Sequence, residues 1–178
     1  SPLAAGGPPS PRGENLVSLQ LRLCLQQYLL LGLCGQLGLV EFGEEVNCHH
    51  NYAALENHYD ANVWVHRKGA VRVREGEMAV IPGAMGSYSY VVEGKGCRES
   101  FCTSSHGAGR SYSRSGAMQA FTVEKVMVDL KEQGVVLGKR KKNDVAEECR
   151  FAYKDIDRVM AQQSDLVTPV RKLRTVGV

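Results

Sequence analysis

From Asn62 to Val92 the hydrophobic and polar residues alternate in short runs, which is the period of half-buried strands. Asn62-Val63-Trp64-Val65-His66 reads as a strand, Arg67-Lys68-Gly69 as a turn, and Ala70-Val71-Arg72-Val73-Arg74 as a second, strictly alternating strand. After Glu75-Gly76-Glu77, the apolar run Met78-Ala79-Val80-Ile81 has the pattern of a buried strand. Pro82 to Gly86 breaks the pattern, Ser87 to Val92 resumes it, and Glu93 to Gly96 turns the chain again. Ser100-Phe101-Cys102 is expected as a short strand leading straight into Ser104-Ser105-His106-Gly107-Ala108-Gly109-Arg110.

Helical signals flank this block. Upstream, Val46 to Asn51 leads into a helix expected over Tyr52 to Tyr59, carrying Glu56 and His58. Downstream, Thr122 is a helix N-cap, Glu124 lies in the first turn, and Gly134 follows an end near Gln133. Lys139 to Asn143 reads as a basic loop. Tyr153 to Val167 repeats Ile156, Val159, Met160 and Leu166 at helical spacing, Pro169 marks its exit, and Val170 to Val178 closes the chain as a strand. The expected fold class is α+β, largely antiparallel strands followed by helices.

The first forty residues differ in texture. Ser1 to Asn15 is rich in proline and glycine, a linker composition without the basic start and apolar core of a signal peptide. Leu16 to Val40 is crowded with leucine and uncharged from Leu23 onward, but three glutamines and three glycines interrupt that uncharged part. A buried or interface helix suits it better than a membrane span, and no membrane partner is expected.

Over its whole length of 178 residues the chain is 43% hydrophobic and 23% charged, with a net charge of +3. That length supports one domain with a sizeable core, and the charge does not by itself mark a nucleic-acid binder. Local basic groups (Arg67, Lys68, Arg72 and Arg74; Lys139 to Lys142; Arg171, Lys172 and Arg174) suit either a phosphate backbone or a solvated face. The cysteines Cys24, Cys34, Cys48, Cys97, Cys102 and Cys149 have neither CxxC nor zinc-finger spacing, so a reducing, cytoplasmic setting is expected.

Candidate chemistry concentrates in the histidine loop. Glycines on both sides of Ala108 allow close backbone approach, consecutive N–H groups can cradle an anion, His106 can act as a nucleophile, and Arg110 can clamp a phosphate. An ordinary glycine-rich turn is the alternative. His49-His50-Asn51 offers imidazoles suited to Mn, Zn, Fe or Ni. His58 and His66 read as structural. Pro82 to Ser89 follows an apolar strand, where ligand loops are often carried, and is otherwise a β-turn. Tyr153 can stack on a base or simply pack.

These segments together resemble the C-terminal half of the RtcB-type RNA-splicing ligases. The resemblance rests on Asn47 to Ala53 (NCHHNYA), Asn62 to Arg72 (NVWVHRKGAVR), Ile81 to Tyr90 (IPGAMGSYSY), Gly94 to Gly96, Glu99 to Arg110 (ESFCTSSHGAGR), Ala152 to Asp157 (AYKDID) and Leu173 to Val178. It runs from about Glu41 to the end, dividing the chain into a segment of unclear origin, 1–40, and part of an RtcB-like domain, 41–178.

The resemblance implies a GTP- and Mn²⁺-dependent ligase that joins an RNA 3′-phosphate or 2′,3′-cyclic phosphate to a 5′-hydroxyl, as in tRNA splicing or RNA repair. It implies that His106 attacks the α-phosphorus of GTP and holds GMP. Gly107, Ala108 and Gly109 would surround that phosphate, with Arg110 beside it. His50 would be a metal ligand and Asn51 a nucleotide contact; Pro82, Gly83, Ala84, Met85 and Ser89 would hold the guanosine, and Tyr153 would stack on guanine.

Departures from the family pattern accompany the match. The family's other metal ligands (an aspartate, a cysteine and two histidines) belong to a half without counterpart here, since residues 1–40 contain neither histidine nor aspartate. The family pattern also continues past Val-Gly-Val to a guanine-reading lysine, and Ala84 stands where serine is common. The alternatives are a non-catalytic nucleotide- or RNA-binding remnant, and a metal-dependent nuclease built on His49, His50 and Asn51.

Overall fold

The computed structural model describes residues 46–138 and 145–178. The expected helix in Leu16 to Val40 and the basic loop Lys139 to Asn143 lie outside the described residues. Six strands come first, then short helices and a last strand that completes the third of three small antiparallel sheets, which fits the α+β expectation. Among the described residues no helix is long and apolar enough to cross a membrane.

Strands β1 (Asn51–His58) and β2 (Ala61–Lys68) form a hairpin in which Asn51 faces Lys68 and His58 faces Ala61. This corrects the helix expected over Tyr52 to Tyr59. Helix propensity in Ala-Ala-Leu-Glu amounts to a few tenths of a kcal/mol per residue, about the scale that cross-strand pairing overrides. The hairpin turn was hidden because Tyr59 and Asp60 take positive φ (53° and 63°) without a glycine to advertise it. Strand β2 also continues through Arg67 and Lys68, which were expected in a turn, and the corner falls on Gly69 alone, at φ 68°.

Inside the hairpin is a buried ion pair. Arg67, 1% exposed, donates to both Glu56 oxygens at 2.6 and 3.0 Å, to the Phe101 carbonyl at 2.9 Å and to Thr103 Oγ1 at 2.9 Å. His58 Nε2 lies 2.9 Å from Glu56 Oε2, the structural role expected of it. The pair fastens the hairpin to the segment that leads into the histidine loop.

Strand β3 (Ala70–Arg72) pairs with β6 (Thr103–Ser105), and β5 (Ser89–Gly94) lies between β4 (Met78–Ile81) and β7 (Val167–Leu173). The short strand expected at Ser100 to Cys102 is instead a tight turn, with Phe101 and Cys102 at φ 55° and 50° and the Cys102 N–H on the Cys97 carbonyl at 2.8 Å. Strand β7 starts earlier and ends earlier than expected. Its pairing skips Val170, which puts Pro169 opposite Val92 at a bulge on an edge strand, where a missing N–H is tolerated.

Helices α1 (Arg114–Ala120) and α2 (Val123–Glu132) pack Ala117, Val126 and Leu130 around Val145, Cys149 and Ala152. Thr122 caps α2 by accepting from the Lys125 N–H, as its sequence signature indicated, and Gly134 follows at φ 67°. Helix α3 (Ile156–Gln162) is much shorter than the Tyr153 to Val167 expected. The Asp155 side chain accepts from the Asp157 N–H and starts it late, leaving Tyr153 extended (φ −117°, ψ 162°) after a 3₁₀ turn at Arg150–Ala152. Ile156 and Met160 of α3 close a second core over Val71, Val73, Ile81, Val92 and Ala108.

Candidate active site

The histidine loop is positioned from three sides. Strand β6 brings the chain to Ser105, whose N–H and hydroxyl both donate to Gln163 Oε1, at 3.1 and 3.0 Å. Gln163 is buried at the end of α3, and sequence reasoning missed it because nothing in Gln162-Gln163-Ser164 marks one glutamine as an anchor. Gly69 joins the two histidine segments: its N–H donates to the His50 carbonyl at 3.2 Å and its carbonyl accepts from the His106 N–H at 3.3 Å. Downstream, Gly109 O accepts from the Lys154 N–H at 3.0 Å, and Arg110 pairs with Tyr153 across a bridge.

The imidazoles of His50 and His106 therefore stack, with centroids 4.6 Å apart and planes inclined by 17°. Burial pushes the His106 imidazole below its usual range; neighbouring His50 pushes the same way, and a hydrogen bond to the Gly69 backbone opposes them. A neutral ring at neutral pH is the form that carries a nucleophilic lone pair.

His106, Gly107, Ala108, Gly109 and Arg110 line a cleft of ≈ 680 Å³ with Pro82, Gly83, Tyr153 and Lys154. The two loops touch, since a Cβ on Gly107 would sit 3.1 Å from the Pro82 carbonyl oxygen. Gly83 is required more strictly: a Cβ there would fall 2.0 Å from the Tyr88 carbonyl oxygen. Its N–H donates to Ser89 Oγ at 3.3 Å. On the other side of Gly83 and Tyr153 lies a second cleft of ≈ 730 Å³, lined by Ala84, Met85, Ser89, Gly138, Glu148 and Val178. Both volumes suit a nucleotide-sized ligand.

The fold thus brings together His50, Pro82 to Met85, Ser89, His106 to Arg110, and Tyr153. Asn51 is not on either cleft; it lies at the start of β1 in a shallow hollow with His66 and Lys68.

The Arg110 guanidinium is engaged within the protein. It donates to the Glu147 carbonyl at 2.8 Å and to Glu148 Oε1 at 2.6 Å, and lies 4.7 Å from the centre of the Tyr153 ring. The Tyr153 hydroxyl donates to Glu148 Oε2, and burial followed by that carboxylate raises the phenol's pKa. Glu148 thus organises both groups, and no motif in the sequence distinguished it from Glu147. Among the described residues no three His, Cys, Asp or Glu side chains gather as a metal-holding group. The His50–His106 pair alone is short of the donors that a divalent cation needs.

A family model for the tRNA-splicing ligase RtcB matches residues 27–178, a match that begins within the leucine-rich stretch. The chain belongs to the RtcB family. An RNA-splicing ligase RtcB of Escherichia coli is 49% identical over 133 residues, covering 75% of this chain and 32% of that protein. A tRNA-splicing ligase RtcB of Methanococcus maripaludis is 36% identical over 150 residues, covering 72% and 31%. An RNA-splicing ligase RtcB of Mycobacterium tuberculosis is 35% identical over 147 residues, covering 72% and 34%. The chain spans about a third of the length of these RtcB relatives.

Proposed function

We propose that this chain supplies the nucleotide-binding and nucleophilic part of a GTP- and Mn²⁺-dependent RNA ligase, with His106 as nucleophile. The observation that carries the reading is His106, stacked on His50 in the lining of a cleft built from two glycine-containing loops. Gly69 lies on the Nδ1 side of the ring, so a proton held on Nδ1 would leave the Nε2 lone pair free. His106 Nε2 would bond to the α-phosphorus of GTP as the bond to pyrophosphate breaks. Transfer of GMP to an RNA 3′-phosphate would then activate that end, and attack by a 5′-hydroxyl would expel GMP and join the strands.

Gly107 to Gly109 would offer N–H groups to the phosphate. Gly83 to Met85, Ser89 and Tyr153 would hold the guanosine. Arg110, tied to Glu148, would steady the Tyr153 ring as well as face the cleft. His50 would hold one side of a metal ion, and the described residues do not complete that site, so no step is assigned to it. RNA ends, whether tRNA halves or broken strands, are the proposed substrates; a cytoplasmic setting is part of the same proposal, supported by Cys48, Cys97, Cys102 and Cys149 being free thiols.

The shortage of metal donors among the described residues favours a second reading, in which this chain by itself binds nucleotide without turning it over. The test is ligation of a 3′-phosphate RNA to a 5′-hydroxyl RNA with GTP and Mn²⁺, by the chain alone and by the chain with the upstream part of an RtcB relative. Ligation by the second mixture that disappears with His106→Ala supports the main reading. No ligation in either mixture contradicts it.

A further inference from the structure

The candidate active site holds a carboxylate that no step of the proposed chemistry uses. Glu148 gives one oxygen to each of two site groups: Oε1 accepts from Arg110 Nη2 at 2.6 Å, and Oε2 accepts from the Tyr153 hydroxyl at 2.5 Å. Those groups belong to different clefts. Arg110 lines the cleft of the histidine loop, Glu148 lines the one shared with Ala84, Met85 and Ser89, and Tyr153 lines both. A carboxylate beside a phosphate subsite repels the ligand's charge, so its presence there calls for a compensating role.

Folding stability is not that role. The Arg110 and Glu148 side chains are 24% and 40% exposed, and ion pairs in such surroundings contribute little to folding. The backbones are fastened without it: the Ser111 and Tyr112 N–H groups donate to the Ala152 carbonyl at 2.9 and 3.2 Å, and the Lys154 N–H donates to the Gly109 carbonyl at 3.0 Å. What these bonds leave open is the direction of two side chains. Donation from Arg110 Nη1 to the Glu147 carbonyl at 2.8 Å, together with the Glu148 bond, fixes the plane of the guanidinium and uses only part of its five-donor fork. The guanidinium lies 4.7 Å from the centre of the Tyr153 ring, so carboxylate, cation and ring close a triangle. Glu148 has a firm support, because Cys149, the next residue, is 1% exposed and bridges Met85 of the cleft loop.

We propose that Glu148 is a positioning residue: it aims the Arg110 fork at the phosphates and holds the Tyr153 ring between the clefts, so that both ends of a nucleotide meet groups already in place. The inference rests on the proposed nucleotide site at His106 and adds the group that couples its two halves.

The experiment compares Glu148→Ala and Glu148→Gln with wild type. In the chain alone, NMR of tyrosine Cζ and arginine Nε–Hε, assigned with Tyr153→Phe and Arg110→Lys, should show both signals moving in either variant. Without the carboxylate the Tyr153 phenol should titrate at lower pH, and the Arg110 Nε–Hε should exchange faster with water. Circular dichroism and melting temperature should stay close to wild type. Guanylylation of His106 is then followed with GTP and Mn²⁺ in the presence of the upstream part of the E. coli relative. The kcat should fall about 100-fold in Glu148→Ala and about tenfold in Glu148→Gln, which keeps an acceptor for Tyr153, while the KM for GTP rises only a few-fold. In an Arg110→Met background, Glu148→Ala should cost less than about tenfold further, because its charged partner is gone. Should Glu148→Ala unfold, Glu148→Gln carries the test alone.

Unmoved Tyr153 and Arg110 signals, or wild-type kcat in the variants, would overturn the proposal. So would tighter GTP binding or faster guanylylation in Glu148→Ala, which would make the carboxylate a brake on Arg110. Losses fully additive with Arg110→Met, or following the melting temperature, would leave Glu148 a structural role only. A wild-type mixture that leaves His106 unmodified contradicts the proposed function instead, and GTP titration of the chain alone then decides for Glu148. Affinity reduced about tenfold in Glu148→Ala supports the proposal, and equal or undetectable binding contradicts it.

Discussion

His50 and His106 stack ring on ring, 4.6 Å between centroids, although the six strands β1 to β6 separate them along the chain. Gly69 makes the contact by bonding to both backbones. The stack keeps His106 partly desolvated beside a second imidazole, and both effects favour the neutral ring.

A pH signature follows from that lowered pKa. The unfolded chain takes up the His106 proton more readily than the folded one, so the His106 contribution to stability falls as pH drops through about 6.5, the usual value. The loss levels off below the folded pKa. Denaturant melts between pH 7.5 and 5 should show wild type losing more stability than His106→Asn across that window, and equal slopes would contradict the assignment.

The Glu56–Arg67 pair predicts a second pH effect at lower values. Hydrogen bonding to Arg67, against the cost of burial, holds the Glu56 carboxyl at about 2, below its usual 4.5. That difference is on the order of 3 kcal/mol, present above pH 4.5 and lost as pH falls towards 2. Glu56→Gln should flatten the acid limb of the stability curve. Arg67→Met should cost about 3 kcal/mol or more at pH 7, because it strands a buried carboxylate, and pairing it with Glu56→Leu should restore part of the loss.

Gln163 supplies a testable anchor for the loop. Gln163→Leu leaves the Ser105 N–H and hydroxyl without their acceptor and should cost about 1–3 kcal/mol by thermal or denaturant unfolding. Gln163→Glu keeps an acceptor in the same place and should recover most of that loss. Equal behaviour of the two variants would remove Gln163 from the account.

Two glycines of the clefts should respond differently to alanine. At Gly83 the new Cβ meets the Tyr88 carbonyl at 2.0 Å and Ser87 Cβ at 2.8 Å, so the loop must move and the cleft deform. At Gly109 nothing lies within 4 Å, and only the φ of 72° resists, which costs about 1 kcal/mol. Thermal melts should rank Gly83→Ala well below Gly109→Ala, and GTP titration should show the larger affinity loss at Gly83.

Much of this arrangement was legible in the sequence, for identifiable reasons. Alternation at Ala70 to Arg74 and Met78 to Ile81, and the Thr122 cap with Gly134, depend on local pattern; the structure has the second strand and the cap, and keeps the first only as far as Arg72. The clustered motifs around His106, Pro82 to Ser89 and Tyr153 identified residues that do line adjoining clefts. What escaped was set by distant partners or by backbone that ordinary residues disguise. Asn51 to His58 is a strand because Glu56 meets Arg67 across a turn with no glycine, and Phe101 and Cys102 take positive φ unannounced. The positions of Gln163 and Glu148 depend on groups 58 and 38 residues away, beyond any local signal.

Mass spectrometry tests whether His106 is the nucleophile. The chain, alone and with the upstream part of its E. coli relative, is incubated with GTP and Mn²⁺ and analysed intact and as peptides. One GMP per chain is expected in the complex, mapped to His106 and absent from His106→Ala. No GMP in the complex, or an adduct that survives His106→Ala, would contradict it.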